Sequence, residues 1–165
     1  MTGFITEEIR EGRHRSGFRG VTLDGQEFIL ARAGKSGPFQ LGPYAVVTEE
    51  LDRVGVPALV PPSGSFLVIL DEVGKMESFS AAFRDAVENL LASDIPLLAT
   101  VASHGVGFPK KIRHDPRIDL VKMGRDSRGA VVGDLLRKLG DAGVGPGTGG
   151  PRIAARAGRS AGRGR

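Results

Sequence analysis

Cysteine, tryptophan and long apolar runs are all missing from this 165-residue sequence. Without cysteine the chain has no disulfide framework, no thiolate zinc site and no cysteine nucleophile. Only 5% of the residues are aromatic, which disfavours the aromatic platforms that bind unpaired bases. No apolar stretch approaches the ~18 residues of a membrane-spanning helix, and the N-terminus lacks the basic and then apolar pattern of a signal peptide. We therefore expect a cytoplasmic protein with no membrane partner.

The positive charge of the chain is concentrated at its C-terminus. The net charge is +4, and the segment 140–165 has one acidic residue, Asp141, against five arginines: Arg152, Arg156, Arg159, Arg163 and Arg165. Residues 1–139 are neutral overall. Because the segment 140–165 is rich in Gly, Ala and Arg and cannot bury much apolar area, we interpret it as a disordered tail. Residues 1–139 then form a single domain, which is an ordinary domain length.

Short β-rich runs occupy the first part of the domain. Residues 3–9 predict one strand, and residues 16–31 contain two more, joined by Asp24-Gly25. This dipeptide is typical of a two-residue hairpin turn. The stretch 32–44 is rich in Gly and Pro and predicts a loop.

The remainder of the domain alternates helices and strands. Thr48 is a candidate N-cap for a two-turn helix that ends at Gly55. The run FLVIL at 66–70 is continuously apolar, which indicates a strand buried on both faces, as in parallel sheets. A helix with apolar residues at 3.6-residue spacing is predicted from Ser78 to Ala92. Further strands are predicted at 95–102 and 118–123, and further helices at 108–115 and 129–139. The order predicts an α/β fold with a mostly parallel sheet, helices on both faces and a β-hairpin.

The segment FLVILDEVGKME, residues 66–77, contains the candidate site. An apolar strand that ends in Asp71 and Glu72 places two carboxylates at the carboxyl edge of the sheet, where open α/β folds bind ligands. In nucleotide hydrolases the first such carboxylate holds Mg²⁺ through water, and the second orients the attacking water. Gly74 would let the backbone turn away, and Lys75 is a candidate phosphate contact. A strand that simply reaches the surface in polar residues is the alternative interpretation.

Several segments together resemble the THEP1-type nucleoside-triphosphatases. They are GFITEEIR, then Arg15-Ser16-Gly17-Phe18, then VPAL, then LVILDEVGKMESFSAAFRDAV, in this order. The resemblance implies a small P-loop protein that hydrolyses ATP, GTP and other nucleoside triphosphates with Mg²⁺. It implies that Asp71 is the magnesium carboxylate and Glu72 the general base. It also implies that residues 67–74 form the Walker B nucleotide-binding segment: Leu67, Val68, Ile69, Leu70, Asp71, Glu72, Val73 and Gly74.

One hallmark of that family is absent from these 165 residues. No G-x-x-x-x-G-K-[ST] phosphate-binding loop occurs; Gly34-Lys35-Ser36 matches its end, but Ile29 stands where the first glycine is needed. A strand, this loop and a helix, roughly 30 residues, would precede the sequence as written. We expect that Met1 is a gene start assigned too late, in a GC-rich genome, and the alternative is a protein that truly lacks the unit. As written, the chain is expected to have weak activity and a poorly stable sheet.

Other polar residues are weaker candidates. Arg113 is a candidate arginine finger, although the basic run around it also fits a solvated helix face. Arg128 is a candidate phosphate contact, because by the resemblance it stands where the family often has an Asn-Arg-Asp turn. The three histidines are expected at the surface, because too few carboxylates accompany them to form a zinc site. They are His14, His104 and His114.

Two other functions remain open. A P-loop kinase would use the same strand and carboxylates to transfer the γ-phosphate to a small acceptor. Weak, salt-sensitive nucleic-acid binding through the five tail arginines is the non-enzymatic alternative. The neutral domain and the scarcity of aromatic residues disfavour it.

Overall fold

The computed structural model describes residues 1–63, 67–124, 127–141, 144 and 152–157. For Arg128 and for residues 152–157 it describes the backbone alone. Within these residues, nine strands form one mixed sheet in the order β4-β5-β3-β2-β1-β6-β7-β9-β8.

The antiparallel half of the sheet comprises the first five strands. They are β1 (Thr2–Glu11), β2 (His14–Thr22), β3 (Glu27–Ala33), β4 (Gln40–Leu41) and β5 (Tyr44–Val46). The predicted hairpin is confirmed: the Gly25 amide donates to the Thr22 carbonyl at 2.9 Å, and β2 pairs antiparallel with β3. The prediction of a loop over 32–44 was wrong in part, because β4 and β5 form a second small hairpin there.

A helical segment crosses from the antiparallel half to the next strand. It consists of one α-helical turn (α1, Thr48–Glu50), a π-helical turn (Leu51–Gly55) and another α-helical turn (α2, Val56–Ala58). The prediction that Gly55 ends this helix was wrong, and so was Thr48 as its N-cap, since Val47 holds that position. A Cβ at Gly55 would lie 2.7 Å from the Phe28 ring. The glycine therefore permits close packing on β3 and does not terminate the helix.

The parallel half of the sheet contains the other four strands and three helices. In chain order these are β6 (Val68–Val73), α3 (Ala81–Ala92), β7 (Leu97–Ala102), α4 (Phe108–Arg113), β8 (Asp119–Met123), α5 (Arg128–Asp141) and β9 (Arg152–Ala157). All four strands run parallel to their neighbours. The helix predicted from Ser78 begins at Ala81, because Ser80 caps it by accepting the Phe83 amide at 2.9 Å, and a 3₁₀ turn precedes it.

The C-terminal segment departs from the predicted disorder. Residues 140 and 141 belong to α5, and Arg152–Ala157 forms β9, which pairs with β7 on one side and β8 on the other. Gly, Ala and Arg bury little apolar area, but apolar burial is not the only contribution to the stability of a strand. An inner strand also satisfies its backbone N–H and C=O groups along both edges, and that contribution does not depend on side-chain type. The remaining tail residues, apart from 144, lie outside the described residues.

Helices pack on both faces of the sheet, as predicted. The main core combines Leu97, Ala99 and Val101 of β7 with apolar residues of α3 and α4. Leu98, which points to the opposite face because strand side chains alternate, packs instead against Val131 and Leu135 of α5. Within the described residues, no helix combines the length and apolar character needed to cross a membrane.

The two halves of the sheet meet where β1 and β6 pair in parallel. Thr2–Ile5 align with Val68–Asp71. Gly3 has φ +121, and a Cβ there would lie 1.8 Å from the Ile69 carbonyl oxygen. This junction therefore requires glycine at position 3.

Candidate functional site

Asp71 and Glu72 lie near the carboxyl end of β6, as predicted. Val68, Leu70 and Val73 on the same strand are buried, so apolar packing fixes the strand while the two carboxylates stay half-buried at its end. The peptide bond between Asp71 and Glu72 is cis. On the neighbouring strand β7, the Thr100 hydroxyl donates to Asp71 Oδ1, which fixes the orientation of that carboxylate.

A tight turn after β6 brings a third carboxylate to the site. The Ser78 hydroxyl donates to the Gly74 carbonyl, and Glu77 within this turn is only 3% exposed. A Cβ at Gly74 would lie 2.5 Å from Glu77 Oε2 and 3.0 Å from Glu72 Oε1. Both carboxylates therefore lie close to the Gly74 backbone, and the absence of a side chain there makes room for them.

The loop after β7 forms the opposite side of the site. Ser103 Oγ lies 2.6 Å from His104 Nδ1. Gly105 has φ +105, and a Cβ on it would lie 2.8 Å from Lys75 Cε, so the Lys75 side chain packs on the loop backbone. The Arg113 guanidinium donates to the carbonyls of Ala102 and, at 2.9 Å, Gly105. It thus ties the two ends of the Ser103-His104 segment to α4.

These elements enclose a cavity of about 300 Å³. The polar residues of its walls come from the middle of β1, the end of β6, the turn after β6 and the loop after β7, and the apolar residues come mainly from the antiparallel half and Met76. The lining residues are Thr6, Phe18, Leu30, Leu41, Glu72, Lys75, Met76, Glu77, Ala102, Ser103, His104 and Gly105. The carboxyl ends of neighbouring parallel strands meet at one edge of a sheet, where ligands bind.

An ion-pair network behind the site fixes α4 against α3. Glu88 of α3 pairs with Lys111 at 2.7 Å and with Arg117 at 3.1 Å, and Arg117 also pairs with Asp115 at 2.6 Å. Hydrogen bonding from Arg117 lowers the pKa of Asp115 to about 2. Hydrogen bonding from Lys111 likewise lowers the pKa of Glu88. The network holds the helix that carries Arg113.

The predicted site residues divide into two groups. Glu72 and Lys75 both line the cavity, whereas Asp71 bonds to Thr100 of β7 and lies outside the cavity lining. The side chains of Leu67, Val68, Leu70 and Val73 belong to the interior, and Ile69 is half-buried. Arg113 contacts the loop after β7 and is not a solvated side chain. The Arg128 side chain lies outside the described residues. The three histidines are exposed, as predicted.

Five polar residues of this region were not predicted as site residues from the sequence, namely Thr6, Thr100, Glu77, Ser103 and His104. Thr100 lies in the apolar strand β7, and the sequence alone does not show that β7 is the direct neighbour of β6. Glu77 could have been predicted, because it is a charged residue in the turn that leads from β6 to α3. Within the described residues, no cluster of three or more His, Asp or Glu side chains has the arrangement of a metal site.

Comparisons with known proteins agree with this architecture. A family model described as NTPase matches residues 1–136. The nucleoside-triphosphatase THEP1 of Thermotoga maritima is 36% identical over 138 residues, which cover 83% of this chain and 79% of that protein. The THEP1 protein of Methanocaldococcus jannaschii is 46% identical over 139 residues, covering 83% and 78%.

Two solved structures share the fold. The crystal structure of THEP1 from Aquifex aeolicus has a TM-score of 0.73 at 28% identity, covering 82% of this chain and 81% of that one. The solution structure of a human cancer-related nucleoside triphosphatase has a TM-score of 0.71 at 28% identity, covering 86% and 82%.

Proposed function

The chain belongs to the THEP1 nucleoside-triphosphatase family, and we propose that Asp71 and Glu72 are the residues with which it hydrolyses nucleoside triphosphates. The products are a nucleoside diphosphate and phosphate, and ATP, GTP and other nucleoside triphosphates are the proposed substrates. The observation that carries this proposal is the carboxylate pair at the carboxyl end of β6. In this pair, Asp71 is oriented by a hydrogen bond from β7, and Glu72 lines the cavity.

Asp71 is the proposed Mg²⁺ residue of a Walker B segment. A carboxylate oriented by the Thr100 hydroxyl fits a cation that binds proteins through one or two carboxylates and keeps several waters. The described residues offer no larger ligand cluster, so phosphate oxygens and water would complete the coordination. When bound, Mg²⁺ would neutralise charge that develops on the phosphate oxygens.

Glu72 is the proposed general base. Its carboxylate accepts a proton from water as the water oxygen attacks the γ-phosphorus. The bond from the γ-phosphorus to the bridging oxygen breaks, and the nucleoside diphosphate leaves with that electron pair. Positioned general bases contribute roughly 10²–10⁴-fold to rate.

Two cations have different proposed roles. Lys75 packs on the loop at Gly105 and is the proposed phosphate contact. Arg113 donates hydrogen bonds to two backbone carbonyls of the loop after β7. These bonds support a role for Arg113 in ordering that loop, and they do not favour a role as an arginine finger.

The experiment measures phosphate release from ATP, GTP, CTP and UTP by the purified protein with MgCl₂. Glu72→Gln is expected to lower kcat by about 10²–10⁴-fold while nucleotide affinity is retained. Glu49→Gln removes the same charge from an exposed position on α1 and is the matched control. Full turnover in Glu72→Gln would exclude Glu72 as the base. Because the sequence contains no G-x-x-x-x-G-K-[ST] motif, nucleotide affinity is measured separately from turnover.

A further inference from the structure

The hydrolysis described above leaves one side of the cavity without a role. Water needs no apolar surface, yet one wall is built from four buried or half-buried apolar side chains, Phe18, Leu30, Leu41 and Met76. Three of them come from the antiparallel half of the sheet. At about 300 Å³, the cavity lies at the lower end of the range for small-molecule sites.

The polar wall opposite is rich in hydrogen-bond acceptors. Glu72 and Glu77 contribute carboxylates, and Lys75 contributes an ammonium group. The Thr6 hydroxyl is buried in the same wall and has no hydrogen-bond partner among the described residues. These carboxylates favour a ligand that donates hydrogen bonds. A buried hydroxyl without a partner is costly unless a ligand satisfies it.

We propose that this cavity binds a nucleoside as a second substrate, which accepts the γ-phosphoryl group in place of water. A nucleoside combines an uncharged ring face for the apolar wall, base amino groups for Glu77 and Thr6, and a sugar hydroxyl for Glu72. The assignment rests on the proposed role of Glu72 in nucleotide hydrolysis.

The transfer step uses the same residues as hydrolysis. The sugar hydroxyl oxygen attacks the γ-phosphorus of the nucleoside triphosphate and loses its proton to the Glu72 carboxylate. The bond from the γ-phosphorus to the bridging oxygen breaks with release of the nucleoside diphosphate. The products are a nucleoside monophosphate and a nucleoside diphosphate, so no further reactant is needed.

The test adds adenosine, guanosine, cytidine and uridine, one at a time, to the purified full chain. Binding is followed by saturation-transfer NMR, and transfer by thin-layer chromatography of γ-labelled ATP, which separates phosphate from a labelled nucleoside monophosphate. At least one nucleoside is expected to bind and to become labelled.

Two variants locate the binding within this cavity. Thr6→Val keeps the side-chain shape but removes the buried hydroxyl, and it is expected to weaken nucleoside affinity about tenfold. Leu41→Ala shortens the apolar wall and is expected to weaken affinity by a similar factor. Leu23→Ala is the matched control, because Leu23 is exposed in the same half of the sheet and lies outside the cavity lining.

Each outcome decides between the two proposals. Phosphate release without nucleoside binding would overturn the second-substrate site and leave the hydrolase proposal intact. Nucleoside binding that both cavity variants leave unchanged would also overturn the site. Binding without labelled product would overturn the transfer step. Absence of any γ-phosphate cleavage, with nucleoside binding lost in Thr6→Val, would instead support the cavity and contradict the proposed hydrolysis.

Discussion

The antiparallel and parallel halves of the sheet distribute their charged side chains differently. In the antiparallel half, charges pair on the exposed surface, as Arg19 does with Glu7 at 2.9 Å and with Glu27 at 3.1 Å. The parallel half also has ion pairs, such as Glu88 with Lys111, but in addition its Glu72 and Glu77 face a cavity. The antiparallel half contributes mainly apolar wall to that cavity, and the parallel half contributes most of the ionisable groups. The site therefore depends on the contact between the two halves.

Breaking that contact is expected to have the largest effect. Gly3→Ala would place a Cβ 1.8 Å from the Ile69 carbonyl oxygen, so β1 and β6 could not pair as observed. We expect a loss of more than about 3 kcal/mol in the free energy of unfolding, measured by urea denaturation.

Gly12→Ala is the matched control for this substitution. Gly12 also has a positive φ, +60, but a Cβ there has no neighbour within 4 Å. Its expected cost is about 1 kcal/mol, from the left-handed backbone alone. If the two variants were equally stable, the pairing of β1 with β6 would be contradicted.

Loosening the loop within the parallel half is expected to have a smaller effect. Arg113→Ala removes the hydrogen bonds to Ala102 and Gly105. We expect kcat to fall about tenfold, which corresponds to one such charged hydrogen bond, with faster hydrogen exchange at residues 103–107. Arg113→Lys should restore part of the activity.

The size of this effect separates two roles for Arg113. An arginine finger would contribute about 10³–10⁵-fold, so a loss in that range with unchanged hydrogen exchange would exclude the positioning role. Lys110→Ala, an exposed change on the same helix, should have neither effect.

The smallest expected effect concerns pH. The pKa of Asp115 is about 2 in the folded protein against an ordinary value of 3.8, so its stabilisation is fully present above about pH 5 and is lost as the pH falls towards 2. Asp115→Asn should cost about 1 kcal/mol at neutral pH and flatten the dependence of unfolding free energy on pH in that window. Urea denaturation at several pH values measures it.

Urea denaturation at neutral pH also compares the two halves. Glu7→Gln breaks an exposed ion pair of the antiparallel half, and it should lower the free energy of unfolding less than Asp115→Asn does. The opposite ranking would show that the stronger ion pairs lie in the antiparallel half.

Local signals allowed the antiparallel half to be predicted well. Its main turn, Asp24-Gly25, is encoded by adjacent residues, and its strands mostly pair with chain neighbours. The failures had non-local causes. Gly55 looked like a helix end because its contact with Phe28 cannot be seen from the sequence. Residues 152–157 looked disordered because their pairing partners are at least 34 residues away along the chain.

The site shows the same division. The position of Asp71 and Glu72 near the end of a buried strand was predictable, because an apolar run followed by two carboxylates is a continuous pattern. Thr100, which contacts Asp71, comes from another strand 29 positions later, and a single sequence gives no register between parallel strands. The role predicted for Arg113 was uncertain for a similar reason, since its partners are backbone carbonyls that no residue type identifies.

The position of β9 has a consequence for the order of events on the ribosome. It is the last described strand in the chain, yet it lies between β7 and β8, which are synthesised earlier. Until its residues emerge, β7 and β8 have no strand between them, and the nascent chain exposes unpaired edges of the kind that promote aggregation. Closure of the sheet therefore waits until residues 152–157 have left the ribosome, and chaperone engagement in that interval would protect the edge of β7.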